Sequence, residues 1–256
     1  MNKRRNEIIL PEDQLRADLR LRTRRSFLIG GIAAVAGTGA YTWLRHQPRE
    51  AYLAWPERRV LAVNAKIAEA YVSDHHLMPE YSLQDVRYLK PNGDIGLDDD
   101  LNDSPWQVTV KTGNGAPDVK VSLQDIKAMP KVDQVTRFCC IEGWSVVSYF
   151  SGPRFSDFTR KYFPPGQALP KYVYMATPSG EYYVGLDMKS AMHPQTLLAY
   201  EKDGKPLDDD HGAPLRLVIP VKYGIKNIKR IGMIQYTDKK PADYWANDGY
   251  DWFAGL

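Results

Sequence analysis

The chain of 256 residues has little cysteine: only Cys139 and Cys140, which are neighbours. An exported scaffold stapled by disulfides needs more cysteines at wider spacing, so that class is excluded. A bridge between adjacent residues would close a strained ring, and two free thiols are expected instead. Cys139-Cys140 and His75-His76 together offer four zinc-type ligands, but they lack the spacing that lets each pair reach one ion. There is also little excess charge. The 34 Lys and Arg against 31 Asp and Glu leave a formal charge of +3. The basic residues are not interleaved with aromatics, so no nucleic-acid partner is expected. No G-x-G-x-x-G follows a strand pattern, and no C-x-x-C-H attaches a haem. Internal repeats and low-complexity tracts are absent too.

What the chain does contain begins with an address. Thr23-Arg24-Arg25-Ser26-Phe27-Leu28 stands at the head of an apolar run from Phe27 to Leu44, which Arg45 closes. A charged segment followed by an apolar run is a signal-peptide pattern. The arginine pair followed by serine and two apolar residues makes it a twin-arginine export signal. As a helix, 18 residues rise about 27 Å, close to the thickness of a bilayer core. Ala34-Val35-Ala36 resembles a cleavage pattern but lies in the middle of the run. Trp43 and Arg45 read as an interfacial anchor, with Arg16, Arg20, Arg22, Arg24 and Arg25 on the cytoplasmic side. Residues 1–45 are therefore expected to be a twin-arginine signal kept as a membrane tether. Residues 46–256 are expected to form one periplasmic domain, delivered by the twin-arginine export machinery. That route carries chains already folded, which favours a protein loaded with a cofactor before export.

Patterning in the remaining chain predicts a helix over 57–71, irregular backbone over 73–105 with an acidic turn at Asp98-Asp99-Asp100, and strands over 106–111 and 119–121 around a Gly113–Pro117 turn. Ser122 should cap a short helix over 123–128. Apolar segments surround the cysteines at 135–140 and 144–149. A helix is expected at 156–162, a strand at 172–176, a helix at 186–191, a helical or extended piece at 196–200, and strands at 215–220 and 228–236. Short strands with long irregular connections make this a β-rich α+β fold.

Three stretches carry chemistry. The first is Arg137-Phe-Cys-Cys-Ile-Glu-Gly-Trp144. A thiolate is a soft ligand for a redox-active transition metal. If the segment is extended, Cys139 and Cys140 face opposite ways, one toward a cofactor and one into structure. The residues alone also allow a plain buried thiol. The second is Gly212-Ala-Pro-Leu-Arg-Leu-Val-Ile-Pro-Val-Lys-Tyr-Gly-Ile-Lys-Asn-Ile-Lys229. Its cations suit either a solvated strand edge or a phosphate, for which arginine supplies a fork and lysine a point charge. The third is Tyr183-Val-Gly-Leu-Asp-Met-Lys-Ser-Ala-Met-His-Pro-Gln-Thr-Leu-Leu-Ala199.

Together these resemble the sulfite-oxidase superfamily of molybdopterin oxidoreductases, most closely its sulfoxide-reductase branch. The first stretch has that branch's R-x-x-C-x-E-x-W form, the second its long pterin signature, and the third its Y-x-G-L-x-x-x-x-A-M-x-P-x-T-x-L-A pattern. The resemblance runs from around His75 to Phe253. It implies a sulfite-oxidase-type fold with a single catalytic domain and a molybdenum-molybdopterin cofactor. Cys140 would be the metal ligand, with Glu142 beside it in the catalytic site. Arg216, Asn227, Ile228 and Lys229 would hold the cofactor, Thr177 would lie near the pterin, and His75 and His76 would match a cofactor-contacting loop. His211 stands where similar members carry asparagine, which puts that one contact in doubt.

Such enzymes move one oxygen atom and two electrons. Glu142 would repel a sulfite dianion in a low-dielectric pocket, so reduction of a neutral sulfoxide, a small molecule or a protein methionine sulfoxide, is the favoured direction. By resemblance the electrons would come from a membrane haem-containing donor. A sulfite dehydrogenase-like enzyme and a non-catalytic exported binding module remain as alternatives.

Overall fold

The computed structural model describes residues 11–98, 105–113 and 115–256. Asp99 and Asp100 of the acidic turn, and Asn114 of the turn after the first predicted strand, lie outside them. In chain order the elements are α1 (Glu12–Arg45), β1 (Arg49–Glu50), β2 (Leu53–Ala54), α2 (Trp55–Tyr71), β3 (Gln107–Lys111), β4 (Val119–Ser122), α3 (Leu123–Lys127), β5 (Val132–Cys139), β6 (Ser145–Gly152), α4 (Phe155–Tyr162), β7 (Tyr172–Ala176), β8 (Tyr183–Asp187), α5 (Met188–Ala191), β9 (Leu197–Ala199), β10 (Glu201–Lys202), β11 (Lys205–Pro206), β12 (Arg216–Val218), β13 (Met233–Thr237) and α6 (Tyr244–Asn247). They divide into two compact units, Met1–Glu50 with Ala54–Glu57, and Ala51–Leu53 with Arg58–Leu256.

The first unit is dominated by α1, whose 34 residues bury no side chain. Glu12 and Asp13 in its first turn and Arg45 in its last complement the helix dipole. Arg16 pairs with Glu12 at 2.7 Å and Arg22 with Asp18 at 2.8 Å, each one turn away. An 18-residue window reaches a mean hydropathy of 1.4, long and apolar enough to cross a membrane. Arg24 and Arg25 lie within this helix, exposed.

The second unit is a mixed α+β fold. Its larger sheet has the order β4-β3-β13-β7-β8. Only β3 and β13 run parallel; the other neighbours are antiparallel. A second sheet has the order β11-β10-β6-β5, and β12 pairs with β9. On β3 the period-2 pattern turns Val108 and Val110 inward, where they are fully buried. The main core joins them to Phe155 and Phe158 of α4, Val173 and Met175 of β7, Leu217 of β12, and Ile234 and Tyr236 of β13. Tyr236 keeps its hydroxyl satisfied in this core through Thr159 at 2.9 Å.

Two expectations are corrected. Residues 186 and 187 are not the start of a helix. They end β8, which is held along its length by β7, and Asp187 then caps the short α5 by accepting from Ser190 N at 2.7 Å. The strand expected over 228–236 begins only at Met233. Arg230, at a φ of 46°, breaks the extended run, and Ile228 is buried in a loop.

Candidate functional site

Hairpin β5–β6 presents Cys140. β5 ends at Cys139, and the chain turns so that Cys140 N donates to Trp144 O at 2.9 Å and Gly143 N to Cys140 O at 3.2 Å. Gly143 supplies the left-handed φ of 89° that closes so short a turn. Cys140 is 6% exposed and lines a cleft; Cys139, half-buried, does not line it. Both thiols are free. The turn also folds Glu142 back over Cys140. Its Oε2 accepts from Trp144 Nε1 at 2.9 Å and from Asn92 Nδ2 at 3.4 Å, and lies 3.7 Å from Cys140 Sγ. Asn92 Nδ2 is also 3.6 Å from that sulfur. Burial pushes the Cys140 thiol above its ordinary range, and the Glu142 charge adds to the shift.

The other wall is cationic. Arg216, 2% exposed, points from β12 against Phe150 and Phe138, with its guanidinium 5.2 and 5.8 Å from their ring centroids. Its nitrogens donate to carbonyls: His211 O at 3.0 Å, Asn227 O at 3.3 Å and, more weakly, Leu217 O at 3.5 Å. Among the described residues no carboxylate forms an ion pair with it. Burial lowers its pKa to about 10. Lys229 Nζ donates to Gly93 O at 2.6 Å, and desolvation together with the Arg216 charge lowers its pKa to about 8. Gly212 makes this wall possible. At a φ of 97°, an added Cβ would meet Lys229 Cβ at 2.6 Å. Asn227 shapes the same loop, its Oδ1 accepting from Ile219 N at 2.8 Å.

The cleft between these walls has a volume of about 340 Å³. It brings together Cys140, Glu142, His211, Arg216, Asn227 and Lys229 from the sequence reading. Ile228 is buried behind the wall, and Leu217 N donates to its carbonyl. Thr177 is also behind: it packs under Gly96, whose added Cβ would lie 2.5 Å from its Oγ1. His75 and His76 fall outside the cleft. Both are exposed, and His76 stacks on Tyr71 and bonds Tyr71 O through Nδ1 at 2.6 Å. The loop that covers the cleft is instead Leu89–Ile95. From sequence, this loop fell within the irregular stretch 73–105 and carried no role, and Tyr182, Trp245 and Tyr250, which give the cleft an aromatic side, were not singled out. His211 explains how the loop is held: Nε2 bonds Leu89 O at 2.9 Å and Nδ1 bonds Asp208 Oδ1 at 2.6 Å. Both ring nitrogens are committed to protein atoms, so the imidazole serves the loop.

The chain is similar to known proteins over most of this unit. The profile of the oxidoreductase molybdopterin binding domain matches residues 96–245. The chain belongs to that molybdopterin-binding family. Among its relatives, a putative protein-methionine-sulfoxide reductase subunit YedZ1 of Azospira oryzae is 41% identical over 134 residues, 52% of this chain and 50% of that protein. The protein-methionine-sulfoxide reductase catalytic subunit MsrP of Xanthomonas campestris is 36% identical, over 56% of this chain and 48% of that protein. The subunit of the same name from Campylobacter jejuni is 32% identical over 211 residues, 72% of this chain and 68% of that protein. The chain spans about half the length of the first two of these relatives.

The residues fit the family's molybdopterin. A buried guanidinium with no carboxylate paired to it, beside a half-buried ammonium, is costly unless an anion completes them. Arg216 and Lys229 are such a pair, and the terminal phosphate of the cofactor is such an anion. At the other end of the cleft, a buried thiol with a raised pKa becomes a thiolate once a metal cation offsets its charge. Cys140 is the one cysteine of the pair that meets the cleft.

Proposed function

We propose that this molybdopterin-binding protein is the catalytic subunit of an exported sulfoxide reductase, acting on methionine sulfoxide in proteins or as a small molecule. The observation that carries the reading is the Glu142 carboxylate, 3.7 Å from Cys140 Sγ in a cleft with an aromatic side. A carboxylate there disfavours a sulfite dianion by several kcal/mol at low effective dielectric and accepts a neutral sulfoxide. The names of the relatives point the same way.

When bound, molybdopterin supplies the metal that exchanges one oxygen atom and two electrons with the substrate. Cys140 would hold the metal, and Arg216 and Lys229 the phosphate. Reduction of a sulfoxide to a thioether and water consumes two protons. Glu142, a carboxylate before substrate binds, would take up a solvent proton and pass it to the sulfoxide oxygen, since Trp144 and Asn92 fix Oε2 and no described residue bonds Oε1. Trp245, Tyr250 and Tyr182 would seat the apolar arms of the sulfoxide. The electrons would come from a membrane haem subunit. The arginine pair of α1 would direct export to the periplasm, and the apolar run of α1 would remain as the tether that keeps the two partners together.

Glu142→Gln tests the proton delivery. The variant should keep its molybdenum and lose about 100-fold in sulfoxide turnover with a dye donor, the usual scale for a general acid. Full activity across the pH range would remove Glu142 from that role, and sulfite oxidation exceeding sulfoxide reduction in the wild type would overturn the assigned direction.

A further inference from the structure

Helix α2 has apolar residues on two sides. From Arg58 onward it belongs to the second unit, and one side packs on the rest of that unit. Arg58, Leu61, Ala65 and Ala68 are half-buried there, and the Arg58 guanidinium donates to Tyr250 O and Ala246 O, both at 3.1 Å. The other side is turned to solvent yet carries Val60, Val63, Ile67 and Tyr71, exposed by 59%, 56%, 65% and 64%. At 3.6 residues per turn these four share an arc of about 80°. The Tyr71 ring stacks on exposed His76 with centroids 4.5 Å apart, which lengthens the stripe. Arg59 and Lys66, both exposed, run along one edge of it. Single exposed apolar residues are ordinary, but a contiguous helical stripe marks a surface that something covers.

The chain itself points to what covers it. α1 is long and apolar enough to cross a membrane, and α2 follows after residues 46–54. Nine residues span about 30 Å at full extension, so a spanning α1 keeps α2 within reach of the bilayer surface. A helix with an apolar stripe bordered by Lys and Arg is suited to lie in the plane of that surface. Its apolar side chains enter the acyl boundary, and the cationic heads reach outward to anionic headgroups. We propose that α2 docks on an anionic lipid bilayer through Val60, Val63, Ile67 and Tyr71, with Arg59 and Lys66 on the headgroups. This rests on the tether reading of α1.

The experiment uses the full chain in vesicles of phosphatidylethanolamine and phosphatidylglycerol. A diazirine side chain is placed at position 63 or 67 on the stripe, or at exposed position 181 as a control. Lipid adducts at 63 and 67 should exceed those at 181 several-fold, and Lys66→Glu should reduce them. No lipid adduct at 63 and 67, or adducts to a second copy of the chain, would overturn the docking. Retention of the chain on vesicles through a carbonate wash reads the α1 tether independently. A chain that stays bound without labelling lipid therefore rejects the α2 proposal alone.

Discussion

Lys229 is the residue whose titration reports the state of the cleft. Its neighbours are Arg216, which lowers its pKa, and Asp210, Asp94 and Asp208, which raise it, but burial dominates and takes it from 10.5 to about 8. The unfolded chain keeps this proton up to about pH 10.5. Between about pH 8 and 10.5 the unfolded state therefore binds more protons than the folded state, and the cofactor-free protein gains stability as pH rises through that window. Urea unfolding of wild type and Lys229→Met across this range should give a steeper rise in the wild type, and equal slopes would contradict the burial of that charge. The pterin phosphate should raise the Lys229 pKa and flatten the difference. At this scale the sequence was most informative where chemistry and motif coincide. That Cys140, Glu142, Arg216 and Lys229 share one cleft was legible because thiol, carboxylate and cations stand at set positions in dense motifs. His75 and His76 were expected, by resemblance, to match a cofactor-contacting loop, but they lie outside the cleft and Asn92 is the residue at the thiol. What puts it there is the bonds His211–Leu89 and Lys229–Gly93, between residues 122 and 136 positions apart in sequence. No local pattern contains those contacts.

Among the elements, the segment Tyr223–Lys229 depends on a buried ion pair. Lys226 is fully buried, bonding Gly185 O at 3.0 Å and pairing with Asp243, which in turn accepts from Gly185 N at 3.1 Å and caps α6. Removing one partner leaves an uncompensated buried charge. Asp243→Leu should therefore cost about 3–5 kcal/mol, whereas adding Lys226→Met to it should recover much of the loss. Urea titrations of the single and double variants decide this; a double variant as unstable as the single one would contradict the pairing. The elements themselves were legible wherever periodicity decides. α2, β3, α3, α4 and β7 stand close to where alternation and capping placed them, whereas the apolar segments around the cysteines carried no assignment and prove to be β5 and β6. β8 was not legible. Gly185 breaks the side-chain pattern a strand would show in sequence, and the strand state comes from pairing with β7 under Trp252, which packs where a Cβ at Gly185 would be. β13 starts late because Arg230 turns away to bond Ala213 O and pair with Asp209.

For the whole molecule, an apolar helix bearing an arginine pair precedes a mixed α+β unit in which one cleft gathers a thiol, a carboxylate and two cations. If this cleft holds molybdopterin through Cys140, the metal content of the protein follows from that one side chain. The measurement is the molybdenum and pterin content of the exported protein, for wild type, Cys140→Ala and Cys139→Ala. About one molybdenum per wild-type chain is expected, kept in Cys139→Ala and lost in Cys140→Ala. A folded wild-type protein with neither molybdenum nor pterin, or equal loss in both variants, would contradict it.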